Sequence, residues 1–142
     1  MHTNSDALDK FAQKNNIAMI LLFGSRVTGE HREDSDMDLG LLFSDNGYDY
    51  TAVIRELMNI FPDVALDIVV LNKSDPLLNF QVISNYEIIY CPVSEVFLQF
   101  YTETIKKYHD MQKIFKLADN YLENFAGGVK NGTITCNPPK VN

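Results

Sequence analysis

Residues 17–43 read IAMILLFGSRVTGEHREDSDMDLGLLF, and the fold turns on them. The first seven are continuously apolar, bounded by Asn15-Asn16 and Gly24-Ser25, which are the length and flanks of a strand buried on both faces. Residues 26–32 are polar enough for one brief helix after the Gly-Ser turn. From 36 to 43 the pattern alternates. Met37, Leu39, Leu41 and Phe43 fall on one face of a second strand, and Asp36 and Asp38 share the other.

Working outward, Ser5 is placed to cap a first helix whose apolar face is Leu8, Phe11 and Ala12, ending near Asn15-Asn16. Beyond the second strand, Val53, Ile54, Leu57, Met58 and Phe61 recur at helical spacing and stop at Pro62. Residues 64–71 predict a third strand, with Val64, Leu66, Ile68 and Val70 on one face and Ala65, Asp67 and Val69 on the other. Asp75-Pro76 opens a short helix to about Ser84, since proline suits the first helical position. Residues 88–90 predict a short edge strand. From 94 to 125, Phe97, Tyr101, Thr104, Tyr108, Met111, Phe115, Ala118, Leu122 and Phe125 follow at steps of four and three. Ser94 is the expected cap and Gly127-Gly128 the expected stop, giving a helix of about 48 Å. Part of that stripe must cover the sheet, and the rest folds back or meets another chain. Residues 129–142 lack periodicity and predict a loose tail.

Two aspartates at i and i+2 of one strand rise from the same face with roots about 6.5 to 7 Å apart. Such a pair can converge on two Mg²⁺ ions, the arrangement that serves in-line displacement at phosphorus. Gly24 and Ser25, at a strand end that opens a helix, offer backbone N–H groups and a hydroxyl to an anion. Asp67 on another strand supplies a third carboxylate, with Asp63 its nearest competitor but better read as a turn residue. Gly-Ser followed at this distance by Asp-x-Asp arises by chance in roughly 0.2% of chains of this length. The bland alternative is three solvated surface carboxylates. It is disfavoured because paired acids in apolar strands repel unless a cation compensates.

Composition narrows the classes. The chain has 142 residues, 46% hydrophobic and 22% charged, and a net charge of −7, as expected of one globular domain rather than a disordered or fibrous chain. Residues 1–93 carry 6 basic and 14 acidic side chains (−8), and residues 94–142 carry 6 and 5 (+1). A field of that sign repels phosphate backbones, so stable nucleic-acid binding is not expected. No run reaches the 18 to 20 apolar residues of a membrane span, and the first residues lack a signal-peptide pattern, so no membrane association and a cytoplasmic location are expected. Cys91 and Cys136 share no ligand spacing with each other or with the histidines and are expected to be reduced, unpaired thiols.

Gly24-Ser25-x10-Asp36-x-Asp38 with a later strand aspartate resembles the signature of the DNA polymerase β-like nucleotidyltransferase superfamily. The short chain, together with Leu66-Asp67-Ile68-Val69-Val70-Leu71-Asn72, Pro76-Leu77-Leu78 and Ile88-Ile89-Tyr90, is similar to its minimal nucleotidyltransferase (MNT) branch over about residues 15–125. The resemblance implies an α+β fold, a mixed β-sheet backed by helices with an antiparallel pair carrying Asp-x-Asp. Residues 1–93 would be the catalytic core, 94–128 a long helix packed on the core, a partner or both, and 129–142 a tail.

It also implies a function, that of the antitoxin of a type VII-like toxin–antitoxin pair. Such a protein transfers AMP from ATP to a tyrosine hydroxyl of a HEPN-domain ribonuclease toxin. By position, Asp36 and Asp38 would hold two Mg²⁺ ions, and Asp67 would hold one and help deprotonate the hydroxyl. Gly24 and Ser25 would bind the β- and γ-phosphates, and Arg26, Arg32 or His31 would offset the leaving pyrophosphate. Two other functions fit the residues: a stoichiometric toxin-binding antitoxin without catalysis, and a small-molecule nucleotidyltransferase of the aminoglycoside-modifying kind. The latter usually needs a second helical domain, for which the chain beyond residue 93 has only one helix and a tail.

Overall fold

A strand that is apolar at every position belongs in the middle of a sheet. In the computed structural model, which describes residues 2–29 and 36–129, β1 (Ile17–Phe23) lies between β2 (Met37–Phe43) and the edge strand β4 (Tyr86–Tyr90). The fourth strand, β3 (Leu66–Val70), forms the other edge, giving the order β3-β2-β1-β4. β1 runs antiparallel to both neighbours, and β2 and β3 are parallel. Expectations that fall on His31, Arg32 and residues 130–142 lie outside the described residues.

Helices cover both faces. On one, α1 (His2–Lys14) and α3 (Tyr50–Ile60) bring Leu8, Phe11, Ala12, Val53 and Leu57 against Ile17, Ile20, Leu39, Leu41 and Phe43. On the other, Val82 and Ile83 of α4 (Pro76–Ser84) and Phe100 of α5 (Ser94–Val129) pack on Met19, Leu21 and Leu71. Ile17 and Ile20 share a face although three residues apart, because a register shift after Ile17 inserts one residue and reverses the alternation.

The alternation read from residues 36–43 holds: Met37, Leu39, Leu41 and Phe43 join the first cluster, and Leu42 joins the second. In β3, Leu66, Ile68 and Val70 likewise join the first and Val69 the second. Asp38 and Asp67 are therefore on the α4/α5 side.

Several boundaries move. α1 begins at His2, upstream of Ser5, because small differences in propensity among Thr, Asn and Ser do not stop a helix held by packing. The helix after the Gly-Ser turn, α2 (Ser25–Thr28), ends at Gly29 in the left-handed conformation and does not reach Arg32 as expected. β2 starts one residue after Asp36, and Val64 and Ala65 precede β3, although the Ala65 carbonyl accepts from the Met37 N–H at 2.8 Å. β4 begins two residues earlier than the run 88–90. α5 continues through Gly127-Gly128 to Val129, since a helical glycine costs about 1 kcal/mol relative to alanine and does not forbid the helix.

At 36 residues, α5 is about 54 Å long. Its first half lies on the sheet and α4, with Phe100 and Thr104 buried and Tyr108 stacked on Phe80 at 3.7 Å. Its second half leaves Ile114, Leu117 and Tyr121 more than 60% exposed. A groove of 570 Å³ along that half is lined by Leu77, Tyr108, Met111 and Phe115 and contains none of the motif acids. Among the described residues, no helix is long and apolar enough to cross a membrane.

Candidate active site

The site assembles where three strand ends meet. Phe23, the last residue of β1, pairs with Asp38 on β2, and Asp38 pairs with Asp67 on β3. Opposed residues in adjacent strands share a face and approach to about 5 Å, so the two acids, 29 positions apart in sequence, stand side by side. The two carboxyl groups lie close enough to act on each other directly. Burial foremost, then the charge of Asp67, the hydrogen bond with it and the charge of Asp36, push Asp38 above the ordinary carboxylate range, and Arg26 opposes them.

Gly24 completes the wall. Its φ of 80° and ψ of −153° lie in a region open almost only to glycine. A Cβ there would overlap the Asp38 carboxylate, so this residue lets the turn close onto the acid. Ser25 opens α2, and the Val27 N–H bonds to the Gly24 carbonyl at 3.1 Å. Arg26, half-buried, follows on the same turn, close enough for its charge to act on Asp38.

Asp38, Asp67, Gly24 and Arg26 thus come together, with Ser25 on the adjoining turn. Asp36 is exposed, precedes β2 and reaches Asp38 through its charge. Asp63 lies in an exposed turn, as expected. Among the described residues no three His, Cys, Asp or Glu side chains meet at metal-ligand spacing. The donor set nonetheless fits a hard divalent cation: all-oxygen, anionic, and carrying at Asp38 an excess of like charge that a cation relieves.

One residue that holds this geometry entered the sequence reading only as the end of the stretch 66–72, with no role assigned to it. The Asn72 side chain accepts from the Phe43 N–H at 2.8 Å and donates to the Phe43 carbonyl at 2.9 Å. It thereby clamps the far ends of β2 and β3 in the register that sets Asp38 opposite Asp67. A side-chain amide can satisfy both backbone groups only when the fold places it beside them, which spacing along the chain does not reveal.

Known proteins share this fold. The protein adenylyltransferase MntA of Aphanizomenon flos-aquae (strain 2012/KM1/D3) is 26% identical over 121 residues, covering 77% of this chain and 80% of that protein. A crystal structure of a toxin–antitoxin with AMP-PNP superposes with a TM-score of 0.68 at 23% identity, over 84% of this chain and 98% of that one. The structure of the tri-AMPylated Shewanella oneidensis HEPN toxin in complex with MNT antitoxin gives 0.64 at 21% identity, over 86% and 98%. Residues 6–95 match the family described as Polymerase beta, Nucleotidyltransferase. That match spans more than half of the chain and contains the Gly24-Ser25 turn and the paired Asp38 and Asp67, so the chain belongs to the polymerase beta nucleotidyltransferase family.

Proposed function

We propose that this chain is a protein adenylyltransferase that works in the cytoplasm as the antitoxin of a type VII-like HEPN/MNT pair. It would move AMP from ATP to a tyrosine hydroxyl of a HEPN ribonuclease toxin. The observation that carries the reading is the contact of Asp38 with Asp67 beside the Gly24-Ser25 turn, in a family of nucleotidyltransferases. The names of its relatives, an adenylyltransferase and antitoxins solved with AMP-PNP or an AMPylated toxin, support the substrates.

In this reading Gly24 and Ser25 receive the β- and γ-phosphates at the start of α2, where backbone dipoles favour anions. Asp36 and Asp38 would hold two Mg²⁺ ions, with Asp67 sharing one. Magnesium, when bound, offsets the carboxylate charge and polarises the phosphate. Asp67 takes the proton of the incoming tyrosine hydroxyl, whose ordinary pKa near 10 leaves little phenolate at neutral pH. The tyrosine oxygen then bonds to the α-phosphorus as the bond to pyrophosphate breaks, and Arg26 offsets the charge of the leaving group.

The exposed apolar residues of α5 favour a second reading, neutralisation by binding alone. One experiment separates the two. The protein is incubated with α-phosphate-labelled ATP, Mg²⁺ and the HEPN protein encoded beside it. Label on the HEPN tyrosine with the wild type, absent with Asp38→Asn and Asp67→Asn, supports transfer. An Asp38→Asn variant that neutralises the toxin fully, with no label, supports binding alone.

A further inference from the structure

The row of residues that carries the acids continues into aromatic ground. Strand registers align Tyr86, Phe23, Asp38 and Asp67 across all four strands, so their side chains leave one face of the sheet. α5 passes over the aromatic half. The Phe97 ring lies 5.0 Å from Tyr86 at 39°, and Tyr101 lies 5.8 Å from Phe97 at 46°. Tyr101 is on the same side of the helix as Phe97 and Thr104, one turn away from each. Thr104 is only 2% exposed, yet Tyr101 is 36% exposed. Tyr101 thus presents an aromatic surface open to solvent next to the packed pair of Tyr86 and Phe97.

We infer that Tyr86, Phe97 and Tyr101 form a stacking platform for the base of the nucleotide whose phosphates lie at Gly24-Ser25. The inference rests on the nucleotide-transfer reading above and adds to it where the base goes. From Asp38 the sheet ends one strand away on the side of Asp67, which is exposed. On the side of β4 the same face meets rings instead of carboxylates. A nucleoside attached to a phosphate at the acids finds there a low-polarity surface for its flat face. Stacking distinguishes a base from a bare phosphate but reads no hydrogen-bond pattern. ATP and GTP are therefore expected to gain from the platform alike, and inorganic tripolyphosphate not at all.

The test is titration calorimetry of the full chain with ATP and with inorganic tripolyphosphate, Mg²⁺ present, for the wild type, Tyr101→Ala and Tyr101→Phe. The expected result is an ATP affinity about tenfold weaker in Tyr101→Ala, unchanged in Tyr101→Phe, with tripolyphosphate affinity equal in all three. The chain has no Trp, so its emission is that of tyrosine, and ATP but not tripolyphosphate should quench it in the wild type. Equal weakening of both ligands, or no change in either, overturns the platform and leaves the phosphate site standing. A wild type that binds neither ligand overturns the nucleotide reading itself.

Discussion

Asp38 and Asp67 face each other across the parallel β2/β3 pair, while Gly24 closes on Asp38 from the β1 side. The acids are brought together by strand register, with each on the face opposite the main apolar cluster of its strand. Anything that shifts the register, the turn or the charge of this pair should therefore be felt at the site before it is felt in the core.

Gly24 and Gly29 form a matched pair for testing the turn. Both have φ near +80°, but a Cβ on Gly29 would meet nothing within 4 Å, whereas one on Gly24 would overlap Asp38. Gly29→Ala should cost about 1 kcal/mol through backbone strain alone and leave nucleotide binding intact. Gly24→Ala should cost roughly 2–3 kcal/mol and abolish ATP binding, read by thermal denaturation and calorimetry. Equal losses in the two variants would show that the contact with Asp38 has no consequence.

The charge of Asp38 gives a pH dependence of defined sign. Its pKa is raised from the ordinary 3.8, so the folded chain holds this proton more tightly than the unfolded one. With chelator present, the stability it contributes is full below the ordinary value and is lost as pH rises through the raised one. Asp38→Asn should therefore melt higher than the wild type at pH 7, by roughly 3 °C. The difference should shrink toward pH 4, and millimolar Mg²⁺ should stabilise the wild type but not the variant. Melting curves at several pH values with and without chelator check this.

Asn72 should matter more than its exposed position implies. Replacing it with alanine removes both bonds to the Phe43 backbone and should destabilise the chain by about 1–2 kcal/mol. Asn72→Asp keeps the acceptor and loses the donor, and should fall between the two. Urea denaturation measures both, and amide exchange at Met37 and Leu71, whose N–H groups bridge β2 and β3, should quicken in the alanine variant.

The far half of α5 should separate stability from partner binding. Leu117 and Tyr121 are each 69% exposed, so Leu117→Glu with Tyr121→Glu should change stability by no more than about 0.5 kcal/mol. The same double variant should weaken co-purification with the HEPN protein at least tenfold if this face docks it. Unchanged co-purification would assign the face elsewhere. Leu57→Ala is the opposite control, since burial of Leu57 is complete and the cavity should cost 2–5 kcal/mol.

What residues 17–43 determine by themselves is local: a doubly buried strand, a Gly-Ser turn, and a strand with Met37, Leu39, Leu41 and Phe43 on one face and Asp38 on the other. Hydrophobic period and turn chemistry act over a few residues, so these features were legible without coordinates, as were Pro76 at a helix start and the stripe of α5. Where α5 ends was not: Gly127-Gly128 read as a stop, yet the helix continues through them to Val129, because glycine weakens a helix without ending it. The tertiary structure decided which strands are neighbours. The β2/β3 register sets Asp67 against Asp38, the inserted residue in β1 reverses its alternation, Asn72 clamps Phe43, and Tyr86 joins the row of the acids. Each is a contact between residues distant in sequence, fixed by packing of the whole sheet between its two helical layers, and no short-range pattern encodes it.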